Sequence, residues 1–87
     1  MDISIDTTNK GRNLQRLRKA VGLSQSQAAT LTSLNVQVLQ QYERGARDIN
    51  GAKLATLLKF CKAYKCGLVD IVTDEETREL LKEYGNR

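Results

Sequence analysis

Apolar residues recur at helical spacing along most of the chain. Leu14, Leu17 and Val21 stand at i, i+3 and i+7, with Arg12, Gln15, Arg16 and Lys19 on the other faces, which predicts a first helix from about Thr8 to Val21. With no proline present, Gly, Asn, Ser and Thr must supply the punctuation. Gly22 stands where a left-handed residue ends a helix. Ser24, with Gln27 three residues on, forms a capping box and opens a second helix to about Thr32, carrying Ala28, Ala29 and Leu31. Ser33 and Leu34 make a short break. Asn35 caps a third helix that runs to about Arg44 and is closed by Gly45. Ala46 to Asn50 reads as a loop, with Asn50 as the cap of a fourth helix from Gly51 to about Lys65. The apolar residues of that helix are Leu54, Leu57, Leu58, Cys61 and Tyr64. After Gly67, Leu68 to Val72 forms a short fifth helix. Thr73 with Glu76 makes a further capping box and opens a last helix, about Asp74 to Tyr84, with acids at its positive end. Ile3 and Ile5 alternate with Asp2 and Ser4, a thin signal for a short strand at residues 2–5.

The pattern predicts an all-α fold, and the length of 87 residues fits one domain. Residues 1–72 form its body, with the last helix at 73–87 packing on it or serving a dimer. The composition removes whole classes of function. The chain has no His, which excludes Ser-His-Asp and Cys-His catalytic sets and any His-bound metal. Two Cys are too few for a four-thiolate zinc site or a disulfide scaffold. The pair is five residues apart, ~140° round a helix, and is read as packing rather than as a metal or redox site. No apolar run reaches the ~18 residues of a membrane span, and the N-terminus lacks a signal-peptide pattern. A cytoplasmic protein with no enzyme activity, no cofactor and no small-molecule ligand is expected.

The second and third predicted helices are joined by about two residues, the spacing of a helix-turn-helix, whose second helix can enter the DNA major groove. At ~100° per residue, Leu39 and Tyr42 define the core side of that helix, and Gln37, Gln40, Gln41 and Arg44 fall opposite them. This outward face has three Gln, one Arg and no acid. A Gln amide bonds adenine in a bidentate pair, and Arg reaches guanine or phosphate. A solvated helix face usually mixes Glu with Lys, so an acid-free, Gln-rich face is less common, and on this feature alone base reading and an ordinary solvated face weigh equally.

LRKAVGLSQSQAA followed by LQQYERGARDI resembles the helix-turn-helix domain of phage repressor and Cro-like proteins, the XRE type. The match needs no gap from Leu17 to Gly45. Gln25 stands at the motif's opening Gln, Ala29 at its small residue, Leu39 at its aliphatic position and Tyr42 at its aromatic one; Glu43 to Gly45 matches its E-x-G ending. Downstream, LLKFCKAYKCGLVDIV is similar to the family's fourth and fifth helices. The resemblance implies a lambda-repressor-like five-helix DNA-binding domain, here with an additional C-terminal helix. Ser33 stands where the family turn often has Gly, at a cost of ~1 kcal/mol if the backbone there is left-handed. Ala28 and Thr32 replace the usual Leu, and Lys10 a usual apolar residue, which implies a thinner core contact for the second helix.

By motif position, the resemblance places Val36, Gln37, Gln40 and Gln41 at the bases, with Gln37 and Gln41 foremost. Arg44 and Arg47 map to the phosphate-contacting end. Gln25 opens the second helix beside a phosphate and steadies a side chain of the recognition helix. Arg18 is expected to form a structural ion pair with Glu43 and, secondarily, to contact a phosphate. Phe60 and Tyr64 are expected in the core. In the last helix, Thr77, Leu80, Leu81 and Tyr84 share one side. That stripe either covers the domain's own core or forms a homodimer contact through Leu80, Leu81 and Tyr84, to which Val69 and Ile71 would add.

The expected function is therefore a sequence-specific, double-stranded DNA-binding transcriptional regulator, a repressor that reads the major groove with residues 35–44. Two other readings compete. One is an antitoxin that binds a toxin protein through the acidic last helix and represses its own operon. The other is a helical adaptor that has lost DNA binding. The net charge of +4 is uninformative until divided. Residues 7–47 hold seven basic residues and one acid, Glu43; residues 51–69 hold four Lys and no acid; residues 70–87 hold six acids and three basic residues. A basic body and an acidic tail nearly cancel, and the basic part includes the helices assigned to DNA.

Overall fold

The computed structural model of the protein describes residues 6–85, with side chains from Arg12 onward, and is helical without strands over that span. The possible strand at residues 2–5 and the side chain of Lys10 lie outside the described residues. In chain order the helices are α1 (Asp6–Ala20), α2 (Gln25–Thr32), α3 (Val36–Glu43), α4 (Leu54–Tyr64), α5 (Leu68–Ile71) and α6 (Glu75–Tyr84), with a 3-10 turn at Ile49–Gly51 between α3 and α4. None of them is long and apolar enough to cross a membrane.

Helix ends follow from the polar residues that border them. Ser24 accepts from the Gln27 amide at 3.1 Å while the Gln27 side chain accepts from the Ser24 amide at 2.8 Å, so α2 starts on a complete capping box. Asn35 caps α3 through the Val38 amide at 2.9 Å. At the other end of α1, Gly22 has φ +76, its N–H bonds the Lys19 carbonyl, and the Leu23 N–H bonds that of Arg18. This is a Schellman closure, which requires a left-handed residue. Ser33 closes α2 in the same way at φ 59 without the freedom of glycine, so the cost expected from the sequence is present there.

Asn50 does not cap a helix. Asp48 caps the 3-10 turn through the Asn50 amide, and α4 begins only after Lys53. The Asn50 side chain instead reaches forward. Its Oδ1 accepts from the amides of Thr73 and Asp74 at 2.9 and 3.2 Å, and its Nδ2 donates to Thr73 Oγ1 at 3.0 Å. It thus pins the start of α6 to the α3–α4 connection. Asp74 rather than Thr73 caps α6, through the Thr77 amide at 3.0 Å.

The core is built from Leu14, Leu39, Ile49, Phe60, Tyr64 and Ile71, with Ala28, Tyr42, Leu57 and Val72 around them. Phe60 stands edge-on between Tyr42 and Tyr64, with ring centroids 6.0 and 5.4 Å away. Thr32 is buried where Leu is usual, and its hydroxyl returns to the Ala28 carbonyl at 2.7 Å, so no donor is stranded. α1 rests mainly on α3, and α2 on α3 and α4.

Several apolar positions of the helical pattern are on the surface. Leu31 is exposed because α2 buries Ala28, Ala29 and Thr32 instead, and Leu54 and Leu58 are exposed because the buried side of α4 is formed by Leu57, Phe60, Ala63 and Tyr64. The last-helix stripe divides. Leu81 packs against the core, while Leu80 and Tyr84 remain 49% and 60% exposed. Ile71 is fully buried, which removes it from any dimer surface.

The two cysteines are close together, contrary to the helical-wheel separation. α4 ends at Tyr64, Lys65 turns left-handed at φ 56, and the Cys66 N–H bonds the Cys61 carbonyl at 3.1 Å. That bond brings the residues on either side of a Schellman turn into contact. Burial, with the neighbouring Cys61 and Asp70 adding to it, pushes the Cys66 thiol up to about 11, and burial also raises that of Cys61.

Candidate nucleic-acid interface

The helix-turn-helix is held in shape by one chain of polar bonds. Arg18 of α1 and Glu43 at the end of α3 are 7% and 8% exposed. Arg18 Nε donates to Glu43 Oε2 at 2.6 Å, Nη2 to Oε1 at 3.2 Å, and Nη1 to the Leu23 carbonyl at 2.8 Å. The fork–fork pair ties the first helix, its exit turn and the third helix together. The bonds to Glu43 raise the Arg18 pKa against the opposing effect of burial. Gln25 extends the chain outward. Its Nε2 donates to Glu43 Oε1 at 3.0 Å, and its Oε1 accepts from Gln40 Nε2 at 3.1 Å. The order is therefore Arg18, Glu43, Gln25, Gln40, running from the interior to the outward face of α3.

This arrangement has two consequences for the candidate residues. Gln40 keeps its carbonyl oxygen and one N–H for a ligand, which is the donor–acceptor pair that an adenine edge needs. The Gln25 amide is bonded at both ends inside the fold, which leaves one Nε2 hydrogen and the N–H groups at the start of α2 for a phosphate. Arg18 is likewise bonded to Glu43 and Leu23 through three of its donors.

Leu39 and Tyr42 face the core as the periodicity predicts, and Gln37 and Arg44 are exposed on the opposite side. Val36, Gln40 and Gln41 lie half-buried beside them. Gln41 is not a free amide. Its Oε1 accepts from Arg47 Nε and Nη2 at 3.1 and 2.9 Å, and the Arg47 guanidinium stands 5.8 Å from the Tyr42 ring centroid.

Four residues of α1 join this surface without having been singled out. Arg12, Gln15, Arg44, Gln25, Gln40 and Glu43 line a cleft of about 450 Å³. Arg12, Gln15, Arg16 and Lys19 also line a larger neighbouring groove of about 860 Å³. The signal was available: Arg12, Arg16 and Lys19 stand at i, i+4 and i+7, one face of a helix. Glu43, the single acid of residues 7–47, is buried against Arg18. The exposed charged side chains of residues 12–47 are therefore all cationic, and the surface is suited to a polyanion.

The pattern of a helix-turn-helix family matches residues 14–71 of this chain. The solved structure of the restriction-modification controller protein C.AhdI from Aeromonas hydrophila is similar to it, with a TM-score of 0.66 and 32% identity; the alignment covers 76% of this chain and 91% of that one. Among curated proteins, none matches.

Proposed function

The chain belongs to the XRE-type helix-turn-helix family of DNA-binding regulators, and from that premise we propose that it is a sequence-specific repressor that reads the major groove with α3. The observation that carries this reading is the surface of residues 12–47, where polar amides on α3 are flanked by cations and the one acid of that span, Glu43, is turned inward. Val36, Gln37, Gln40 and Gln41 face the base edges. Arg44 and the first turn of α2 hold the phosphates that fix the register. The relay from Arg18 through Glu43 and Gln25 sets the position of Gln40 before DNA arrives, which lowers the ordering cost of binding. Occupancy of the site blocks polymerase access; no chemistry is needed.

A single recognition helix reads few base pairs, so the protein acts as a two-fold dimer with half-sites ~34 Å apart. The exposed side chains of Leu80 and Tyr84 support α6 as the contact. The rival reading, a toxin-binding antitoxin, draws on the exposed acids of the same helix, Glu75, Glu76 and Glu79.

Selection of duplexes from a random library, followed by fluorescence anisotropy on the selected site, tests the proposal. Gln37→Ala should lower discrimination at one base pair by ~1–3 kcal/mol. Arg44→Ala should weaken all sequences alike and reduce the salt slope by ~1. Selection that enriches no duplex would refute it.

A further inference from the structure

The Gln41–Arg47 pair assigns base reading differently from the helical wheel. A carbonyl oxygen has two lone pairs, and both of those on Gln41 Oε1 are taken by Arg47 Nε and Nη2. Gln41 then offers only N–H donors, and the bidentate adenine contact, which needs an acceptor beside a donor, is closed to it. Arg47 is left with the opposite balance. Of its five N–H donors two are bonded to Gln41, and the outer edge of the guanidinium, Nη1 with the second Nη2 hydrogen, stays open. Two parallel donors on that edge match the O6 and N7 acceptors of guanine.

The side chain is also held in place. The Arg47 amide bonds the Gln41 carbonyl at 3.1 Å, so backbone and side chain of the two residues are joined twice. The left-handed Gly45, at φ 77, turns the chain back to make this possible. Tyr42 lies under the guanidinium and is itself fixed edge-on against Phe60. A solvated phosphate-binding Arg requires none of this, because a point charge suffices there. A planar fork whose orientation is set on two sides is what base recognition requires.

We propose that Arg47 is a guanine-reading residue and that Gln41 is its positioning residue. The proposal rests on the reading that α3 enters the major groove. The guanidinium is bonded to the tip of a side chain on the outward face of α3, so it lies where that helix would meet the base edges.

The test uses the duplex that the wild-type protein selects, with each guanine replaced in turn by 7-deazaguanine, which lacks the N7 acceptor. At one guanine the replacement should weaken wild-type binding. Arg47→Ala should lose about 5- to 150-fold on the selected duplex, equalise the four bases at that position and be indifferent to the replacement there. Arg47→Lys should not restore the preference. Gln41→Ala should relax the same position and no other. Arg47 is exposed, so Arg47→Ala should melt with the parent, and the 7-deazaguanine series on the wild-type protein stands without either variant. Equal loss on all duplexes for Arg47→Ala, with a smaller salt slope, would make Arg47 a phosphate contact and overturn the assignment. So would relaxation by Gln41→Ala at a different, adenine-specific position. Failure of the wild type to select any duplex would instead overturn the underlying reading of α3, and the assignment with it.

Discussion

The α2–α3 pair and α6 are held to different depths. α2 and α3 are short helices, yet each begins on a side-chain cap, and a relay of charged and amide groups runs through them from the interior to the surface. α6 has a clear apolar stripe, yet none of its residues is fully buried, and its attachment depends on Leu81 and on Asn50 gripping the residues before it. Periodicity therefore measures how amphipathic a helix is and not how firmly it is fixed. A buried long-range ion pair ties α3 to α1, whereas the long-range bonds at α6 reach only the residues before its start.

The most severe way to break this contrast is to remove Glu43. Glu43→Gln leaves Arg18 buried without its counter-charge and also disturbs the bonds of Gln25; thermal or denaturant unfolding should register a loss of about 3–5 kcal/mol. A variant that melts like the parent would contradict the burial of the pair. A smaller loss is expected on raising the pH. The Cys66 thiol and the Tyr64 phenol hold their protons more tightly folded than unfolded, because burial disfavours their anions. Their contribution is complete below the ordinary values of 9.0 and 10.0, and for Cys66 it is lost as the pH rises toward about 11. Denaturation midpoints should therefore fall above pH 9 and be insensitive to these groups at neutrality.

Ser33→Gly sharpens the same comparison from the stabilising side. It relieves a left-handed residue at φ 59 in the turn between α2 and α3, and should add about 0.5–1 kcal/mol. In α6 the expected effect is the smallest. Leu80→Ala removes an exposed side chain and should change monomer stability by no more than about 0.5 kcal/mol. A loss above ~2 kcal/mol, growing with protein concentration, would show α6 buried in an oligomer.

Much of this organisation is legible in the residues themselves. Helix starts are written in local capping chemistry, so Ser24 with Gln27 and Asn35 mark α2 and α3 correctly. The inward positions of Leu39 and Tyr42 follow from a period of 3.6. Asn50 misleads because an Asn before a helical pattern fits a cap equally well in sequence, and its true partners, Thr73 and Asp74, are more than twenty residues away. The cysteines mislead because a helical wheel assumes that the helix continues, whereas Lys65 ends it in a conformation that no composition rule assigns to Lys. The engagement of Gln41 by Arg47 depends on the turn at Gly45, so the face is readable but the hydrogen-bonding state of its members is not.

The central claim is that the outward face of α3, on its cationic surround, recognises duplex DNA by sequence. It is tested most directly by anisotropy titrations of the wild-type protein with a selected duplex and with its scrambled counterpart across a salt series. The account predicts binding to the selected duplex at least ~10³-fold tighter at physiological salt, with both affinities falling as salt rises. Equal affinity for the two duplexes, or binding to neither at low salt, would contradict it.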